Sequence, residues 1–285
     1  MSVNAYFRPT TIAEALDLLN QYKGNARLVA GATDLFLDIE KKKKAPEALV
    51  DVRTIKELHE VKEEDGRLFI GAAVTHTELE NNSLVNKHFK ALALGASVVG
   101  GPAIRNVGTI GGNVINAQPA ADTAVPLFAF DAVCVVCDAD GEKEVPIAEL
   151  YAGPGKSNLD ASKQLLKGFY LKTGEYNVSG FARQAKRKAL ALPMLNMAAA
   201  LKIRCGKITK ASLSAGPVST TPLRLTEAEA YLVGKAPSKE VFAEAGRLAE
   251  EQASPRDSML RGSAEFRKEL LGIMMAELLE TLCSK

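Results

Sequence analysis

Residues 101–113 read Gly-Pro-Ala-Ile-Arg-Asn-Val-Gly-Thr-Ile-Gly-Gly-Asn, and no other stretch restricts the chain's possible folds as much. Glycine lacks a Cβ, so a segment this rich in it lets backbone approach a ligand closely. A shorter counterpart, Leu28-Val29-Ala30-Gly31-Ala32-Thr33-Asp34, follows an apolar strand-like run and again sets small residues where peptide N–H groups converge on an anion. Either stretch alone is as readily a tight turn; the pair together suggests a clamp on a diphosphate. Neither is a Walker A loop, since no Gly-Lys-Ser/Thr follows at the right spacing, and 108–112 is not a dinucleotide G-x-G-x-x-G. Both lack lysine, so peptide dipoles and the hydroxyls of Thr33 and Thr109 are expected to carry the anion, with Arg105 the nearest counter-charge. Such a site suits a cofactor that is retained rather than consumed.

The remaining composition narrows the function classes. With 36 basic against 34 acidic side chains the net charge is +2, which gives no reason to expect nucleic acid as a partner. The run Lys41–Lys44 reads as a solvated loop or helix end. No apolar run is long enough to span a bilayer, and residues 1–6 lack the basic and apolar regions of an export signal, so the cytoplasm is the expected location. Cys134 and Cys137 have C-x-x-C spacing but fall in a β-branched run, where positions three apart face opposite sides of a strand. No metal site is expected. His59, His76 and His88 stand in polar sequence surroundings, which favours surface or capping roles. No serine elbow or paired-carboxylate signature presents itself, so no catalytic side chain is assigned and any reactivity is expected to come from a cofactor.

Element signals divide the chain. Thr11-Ile12-Ala13-Glu14 reads as a capping box opening a helix with Ile12, Ala15, Leu16 and Leu19 on one face. A strand into Gly31, a helix over 35–39 and a strand over 48–52 complete a small α/β unit. Beyond it, Asp65-Gly66 marks a hairpin, residues 75–80 a short capped helix, and 87–98 a helix leading into the glycine-rich segment. Segments 168–173, 194–203 and 208–215 read as strands of a small antiparallel sheet, and 227–232, 239–252 and 264–282 as helices covering it. The last helix is expected to bury Phe266, Leu270, Ile273, Met274 and Leu278, with Met274 and Met275 as core filler.

These residues carry a resemblance. Ala30-Gly31-Ala32-Thr33-Asp34 resembles the Ala-Gly-Gly-Thr-Asp loop of the flavin-binding medium subunits of the molybdenum hydroxylases, the group that includes xanthine dehydrogenase and carbon monoxide dehydrogenase. Residues 104–113 with Pro119-Ala120-Ala121-Asp122 resemble that family's second, more specific signature. Gly153-Pro154-Gly155-Lys156 and the tail 257–267 extend the likeness toward the C-terminus.

The resemblance implies an α+β architecture: a two-subdomain FAD-binding fold of the PCMH type over 1–174 (subdomains about 1–52 and 53–174), then a C-terminal α+β domain over 175–285. FAD would lie between the subdomains. By position, Val29, Ala30, Gly31, Ala32, Thr33 and Asp34 together with Thr109, Ile110, Gly111, Gly112 and Asn113 would wrap the diphosphate, and Asp122 would accept hydrogen bonds from ribityl or adenosine hydroxyls. The flavin ring would lie near Val99, Gly100, Gly101 and Leu165. Arg183 falls where relatives can carry a lysine near the ring, and a cation there would stabilise the anionic reduced flavin. Ala32 replaces the family's usual second glycine, which is harmless at negative φ and awkward at positive φ. The implied activity is electron transfer from a partner's [2Fe–2S] centre through FAD to an acceptor such as NAD. A molybdopterin-binding large subunit and a [2Fe–2S] small subunit would be separate chains, because four scattered cysteines do not make such a cluster. Two rivals stay open: a self-contained flavin reductase resembling UDP-N-acetylenolpyruvoylglucosamine reductase, and a flavin-free scaffold or nucleotide sensor.

Overall fold

The computed structural model describes residues 3–187 and 190–284. The chain opens with β1 (Ala5–Phe7), α1 (Ile12–Tyr22), β2 (Ala26–Val29), α2 (Leu35–Glu40) and β3 (Ala48–Asp51). The three strands form a parallel sheet in the order β1-β3-β2. Thr11 caps α1 by accepting from the Glu14 N–H at 3.2 Å, and the helix buries Ala15, Leu16 and Leu19. The expected capping box is half formed, because the Glu14 carboxylate accepts from the N–H and hydroxyl of Thr10 instead of from Thr11. At the end of β3, burial opposes ionisation of Asp51. Hydrogen bonds from Arg53 and from the Tyr6 hydroxyl (2.6 Å) outweigh it and hold the carboxyl at about 2.

The next part contains β4 (Val61–Glu64), β5 (Arg67–Gly71), α3 (His76–Asn81), α4 (Ser83–His88), α5 (Lys90–Ser97), α6 (Pro102–Arg105), α7 (Ile110–Ile115) and α8 (Ala124–Ala129). It continues through β6 (Val133–Asp138), β7 (Gly141–Pro146), β8 (Tyr151–Gly153), β9 (Lys156–Ser157) and β10 (Leu165–Lys172). An antiparallel five-stranded sheet runs β4-β5-β10-β6-β7. Instead of one helix over 87–98 there are two, because Phe89 leaves helical geometry (φ −136°, ψ 52°) to bury its ring edge-on against Phe130. The glycine-rich segment is not an open loop: α6 and α7 occupy much of it, and Thr109 caps α7 by accepting from the Gly112 N–H. Cys134 and Cys137 lie in separate hydrophobic cores, as opposite-facing strand positions must.

Beyond β10 lie β11 (Val178–Ala185), β12 (Pro193–Arg204), β13 (Lys207–Gly216), β14 (Leu223–Arg224), α9 (Thr226–Leu232), α10 (Lys239–Gln252) and α11 (Ala264–Cys283). The strands form an antiparallel sheet in sequence order. The helices pack on one face of it, and α5 and α8 pack on the other. That second face is built from small residues. Ala198 and Ala200 join the large N-terminal core, the Ser214 hydroxyl donates to the Val125 carbonyl at 2.6 Å, and the Ser212 hydroxyl donates to the Ala129 carbonyl. A Cβ on Gly216 would sit 2.1 Å from the Pro119 carbonyl oxygen, so only glycine permits this approach. On α11 the expectation holds in part: Leu278 and Met275 are buried and Leu270 and Met274 pack partly buried against the core, whereas Phe266 and Ile273 are exposed and Leu271 and Leu279 are buried instead.

Candidate cofactor cleft

The turn after β2 and the turn before α7 meet. A Cβ on Gly31 would lie 2.1 Å from the Val107 carbonyl oxygen and 2.8 Å from the Gly108 Cα, so the first loop rests directly on the second. Beside this joint opens a cleft of about 480 Å³, within the range of small-molecule sites. Of the residues singled out in the sequence, Ala30, Gly31, Ala32, Thr33, Asp34, Val99, Thr109, Gly111, Gly112, Asn113 and Leu165 line it. Val29 and Ile110 are buried behind the wall, and Gly100 and Gly101 lie off it, against the side chains of Ile104 and Leu190 respectively.

The two loops contribute differently. Among the described residues, the peptide N–H groups of Gly31, Ala32, Thr33 and Asp34 donate to no protein acceptor. Free donors on successive residues are what an anion-binding turn presents. In the second segment the donors are committed: Ile110 to the Val74 carbonyl, Gly111 to Ala72, Asn113 to Thr109, and Gly112 to the Thr109 hydroxyl. Its glycines serve space instead, since a Cβ on Gly111 would meet that of Ala72 at 2.6 Å. Asn113 uses its Oδ1 to accept from Thr123 at 2.7 Å, and its side-chain N–H₂ has no protein partner among the described residues. Ala32 has φ +59°, the awkward case for a residue with a Cβ.

The counter-charge is not where the sequence suggested. Arg105 lies outside the cleft wall, with Nη1 donating to the Val99 carbonyl at 3.4 Å and Nε 3.4 Å from Glu80. Arg27 and Lys44 line the cleft in its place. Arg27 folds Nη1 onto the Gly24 and Ala26 carbonyls, both at 2.7 Å, and Lys44 pairs with Asp38 at 3.0 Å. Arg27 immediately precedes Leu28 at the start of the first loop, a signal the sequence did contain; Lys44 was hidden within a run of four lysines.

Asp122 and Arg183 are brought together, but away from the cleft. Asp122 Oδ1 accepts from Arg183 Nε at 3.2 Å and from Asn196 Nδ2 at 2.7 Å, and the Arg183 Nη2 donates to the Ala191 carbonyl. Burial pushes the Asp122 carboxyl up to about 6, against the pull of Arg183 and Asn196. With that oxygen engaged by strands β11 and β12, Asp122 forms a joint between the N-terminal part and the C-terminal sheet. His76, expected at the surface, is 2 % exposed and lines the cleft. Burial, reinforced by the Arg105 charge, lowers its pKa to about 4, so it is neutral at physiological pH.

The arrangement fits a dinucleotide: unspent backbone donors, two cations and a glycine approach too close for any Cβ surround one space. Residues 1–171 match the family described as the FAD binding domain in molybdopterin dehydrogenase, and residues 181–282 match the CO dehydrogenase flavoprotein C-terminal domain. The chain is 33 % identical over 234 residues to the nicotinate dehydrogenase FAD-subunit of Eubacterium barkeri, covering 80 % of this chain and 79 % of that protein. It is 32 % identical to the xanthine dehydrogenase FAD-binding subunit of Escherichia coli O157:H7, covering 95 % and 92 %. The solved carbon monoxide dehydrogenase of Hydrogenophaga pseudoflava contains a chain that superposes with a TM-score of 0.92 at 25 % identity, covering 99 % of this chain and 98 % of that one. The chain therefore belongs to the FAD-binding medium subunits of the molybdenum hydroxylase family, and it is an oxidoreductase subunit whose cofactor is FAD.

Proposed function

We propose that this chain passes electrons from a [2Fe–2S] centre on a small partner subunit through FAD to an acceptor such as NAD, while a molybdopterin-binding large subunit, xanthine dehydrogenase-like, oxidises the substrate. Bound in the cleft, FAD would supply the exchange between one-electron and two-electron transfer. The loop 30–34 would hold the diphosphate through its unspent N–H groups, with Arg27 and Lys44 balancing its charge and Asn113 offering its amide. Thr109, Gly111 and Gly112 would leave it room, and Val99 and Leu165 would flank the flavin ring, with Gly100 and Gly101 adjoining. Val29 and Ile110 support the two loops from behind, and Asp122 and Arg183 act at a distance by closing the C-terminal sheet onto the N-terminal part. The proposed division into 1–174 and 175–285 is supported by the two separate family matches.

One observation carries this reading over a self-contained reductase: the cleft has donors for a dinucleotide, while the one histidine among the described residues lining it is held neutral by burial, with a pKa of about 4, and is not tuned for proton exchange near neutral pH. The test is to purify the chain with whatever accompanies it, record the visible spectrum, and identify the polypeptides. A flavin spectrum with a molybdopterin protein and an iron–sulfur protein in company, and flavin reduction on adding the reduced iron–sulfur partner, is the expected result. Steady turnover of a substrate by the isolated chain points to the reductase, and a colourless protein unable to take up FAD points to the scaffold.

A further inference from the structure

His76 has a partner missing. Its imidazole is almost wholly buried, yet neither ring nitrogen makes a hydrogen bond among the described residues. Nδ1 is sealed by protein. At the opposite edge Nε2 has no hydrogen-bond partner among the described residues and is not sealed as Nδ1 is, and a Cβ built on Gly108 would lie 3.3 Å from Cδ2 and 3.6 Å from Nε2, so glycine at 108 keeps a side chain off that edge beside the cleft. The ring is held in place from its own backbone. The His76 N–H donates to the Gly108 carbonyl at 3.0 Å, and the reciprocal Thr75–Glu78 capping box fixes the first turn of α3.

A neutral imidazole carries one N–H and one bare nitrogen. Placing the proton on Nδ1 would strand an N–H donor inside protein, and orphaned buried N–H groups are rarer in folded proteins than unsatisfied acceptors. The proton therefore belongs on Nε2, at the open edge, and burial together with the Arg105 charge keeps the ring in this neutral form. A preorganised donor with no acceptor in its own chain is what a ligand oxygen completes. We propose that His76 is a cofactor-binding residue whose Nε2–H donates a hydrogen bond to an oxygen of bound FAD, either a flavin carbonyl or a phosphate. This rests on the assignment of the cleft to FAD.

The test uses the full chain stripped of flavin and titrated with FAD by flavin fluorescence. His76→Leu fills the space without a donor and is expected to weaken FAD binding about tenfold, whereas His76→Gln keeps an N–H and should stay within about threefold of wild type. In chain labelled with ¹⁵N-histidine, the His76 Nε2 signal should move on saturation with FAD while those of His59 and His88 stay fixed. A changed visible flavin spectrum in bound His76→Leu assigns the acceptor to a flavin carbonyl; an unchanged one assigns it to a phosphate. Equal FAD affinity in wild type and His76→Leu, or an unmoved His76 signal at saturation, overturns the inference while leaving the FAD reading intact. Failure of the wild-type chain to bind FAD overturns both. The labelled spectrum decides the matter even if His76→Leu does not fold.

Discussion

At position 32 an alanine occupies left-handed backbone space, with its Cβ close to a carbonyl that glycine would spare. Ala32→Gly is expected to stabilise the chain by about 1 kcal/mol, read as a higher denaturant midpoint at unchanged m-value. His76 makes its own pH signature. Its folded-state pKa of about 4 lies below the ordinary 6.5, so the unfolded chain binds the proton more tightly. The stability this histidine contributes is complete above pH 6.5 and is lost as pH falls toward 4. Over that window wild type should lose about 3 kcal/mol relative to His76→Gln, measured as the difference between their urea unfolding free energies. Sequence made the first loop legible as a candidate site only through its pairing with the second glycine-rich segment, because small residues after an apolar strand alone also make tight turns. It did not give the sign of φ at 32 or the burial of His76, since Thr75, Thr77 and Glu78 are polar neighbours along the chain while Gly108 is its neighbour in space.

At the scale of elements, hydrophobic periodicity located the long helices but not the face that α11 buries. That helix is apolar on several sides, so sequence spacing alone allowed Phe266 and Ile273 as readily as Leu271 and Leu279. What decides is its partner: α10 crosses so closely that a Cβ on Gly246 would stand 2.2 Å from the Gly272 carbonyl oxygen. Gly246→Val should therefore destabilise the protein by about 2 kcal/mol although valine is the better helix former, and thermal melting of the two proteins checks it. The glycine-rich segment misled in the opposite direction. Glycine and proline signal a loop, yet Thr109 caps a helical turn whose Ile110 and Val114 reach the core, and this burial overrides local preference.

Across the whole molecule, two parts are joined through a buried charge. Replacing Arg183 leaves Asp122 among Asn196 and backbone with no counter-ion, a change of the kind that costs about 3 kcal/mol or more. Because the Asp122 carboxyl already titrates at about 6, Arg183→Met should be harmful at pH 8 and much less so at pH 5, where the acid is neutral. Chemical denaturation of both proteins at the two pH values tests this. The strands over 194–203 and 208–215 were legible from their apolar runs, but β11, which carries Arg183, was not. Its Ser179, Gly180 and Ala182 lack the β-branched character of a strand and are there because α5 and α11 press close on either side.

That crowding sets how the polypeptide can be divided. The alanine and serine face of the C-terminal sheet has no solvent-facing alternative: it ends on the carbonyls of α8 and on the same core as Phe89 and Phe130. A nick in the connector between β10 and β11 would leave two pieces with complementary bare surfaces, each unable to satisfy the other's hydroxyls and carbonyls alone. Split-gene expression should therefore yield a reassembled heterodimer when the pieces are made together, and insoluble material when either is made by itself.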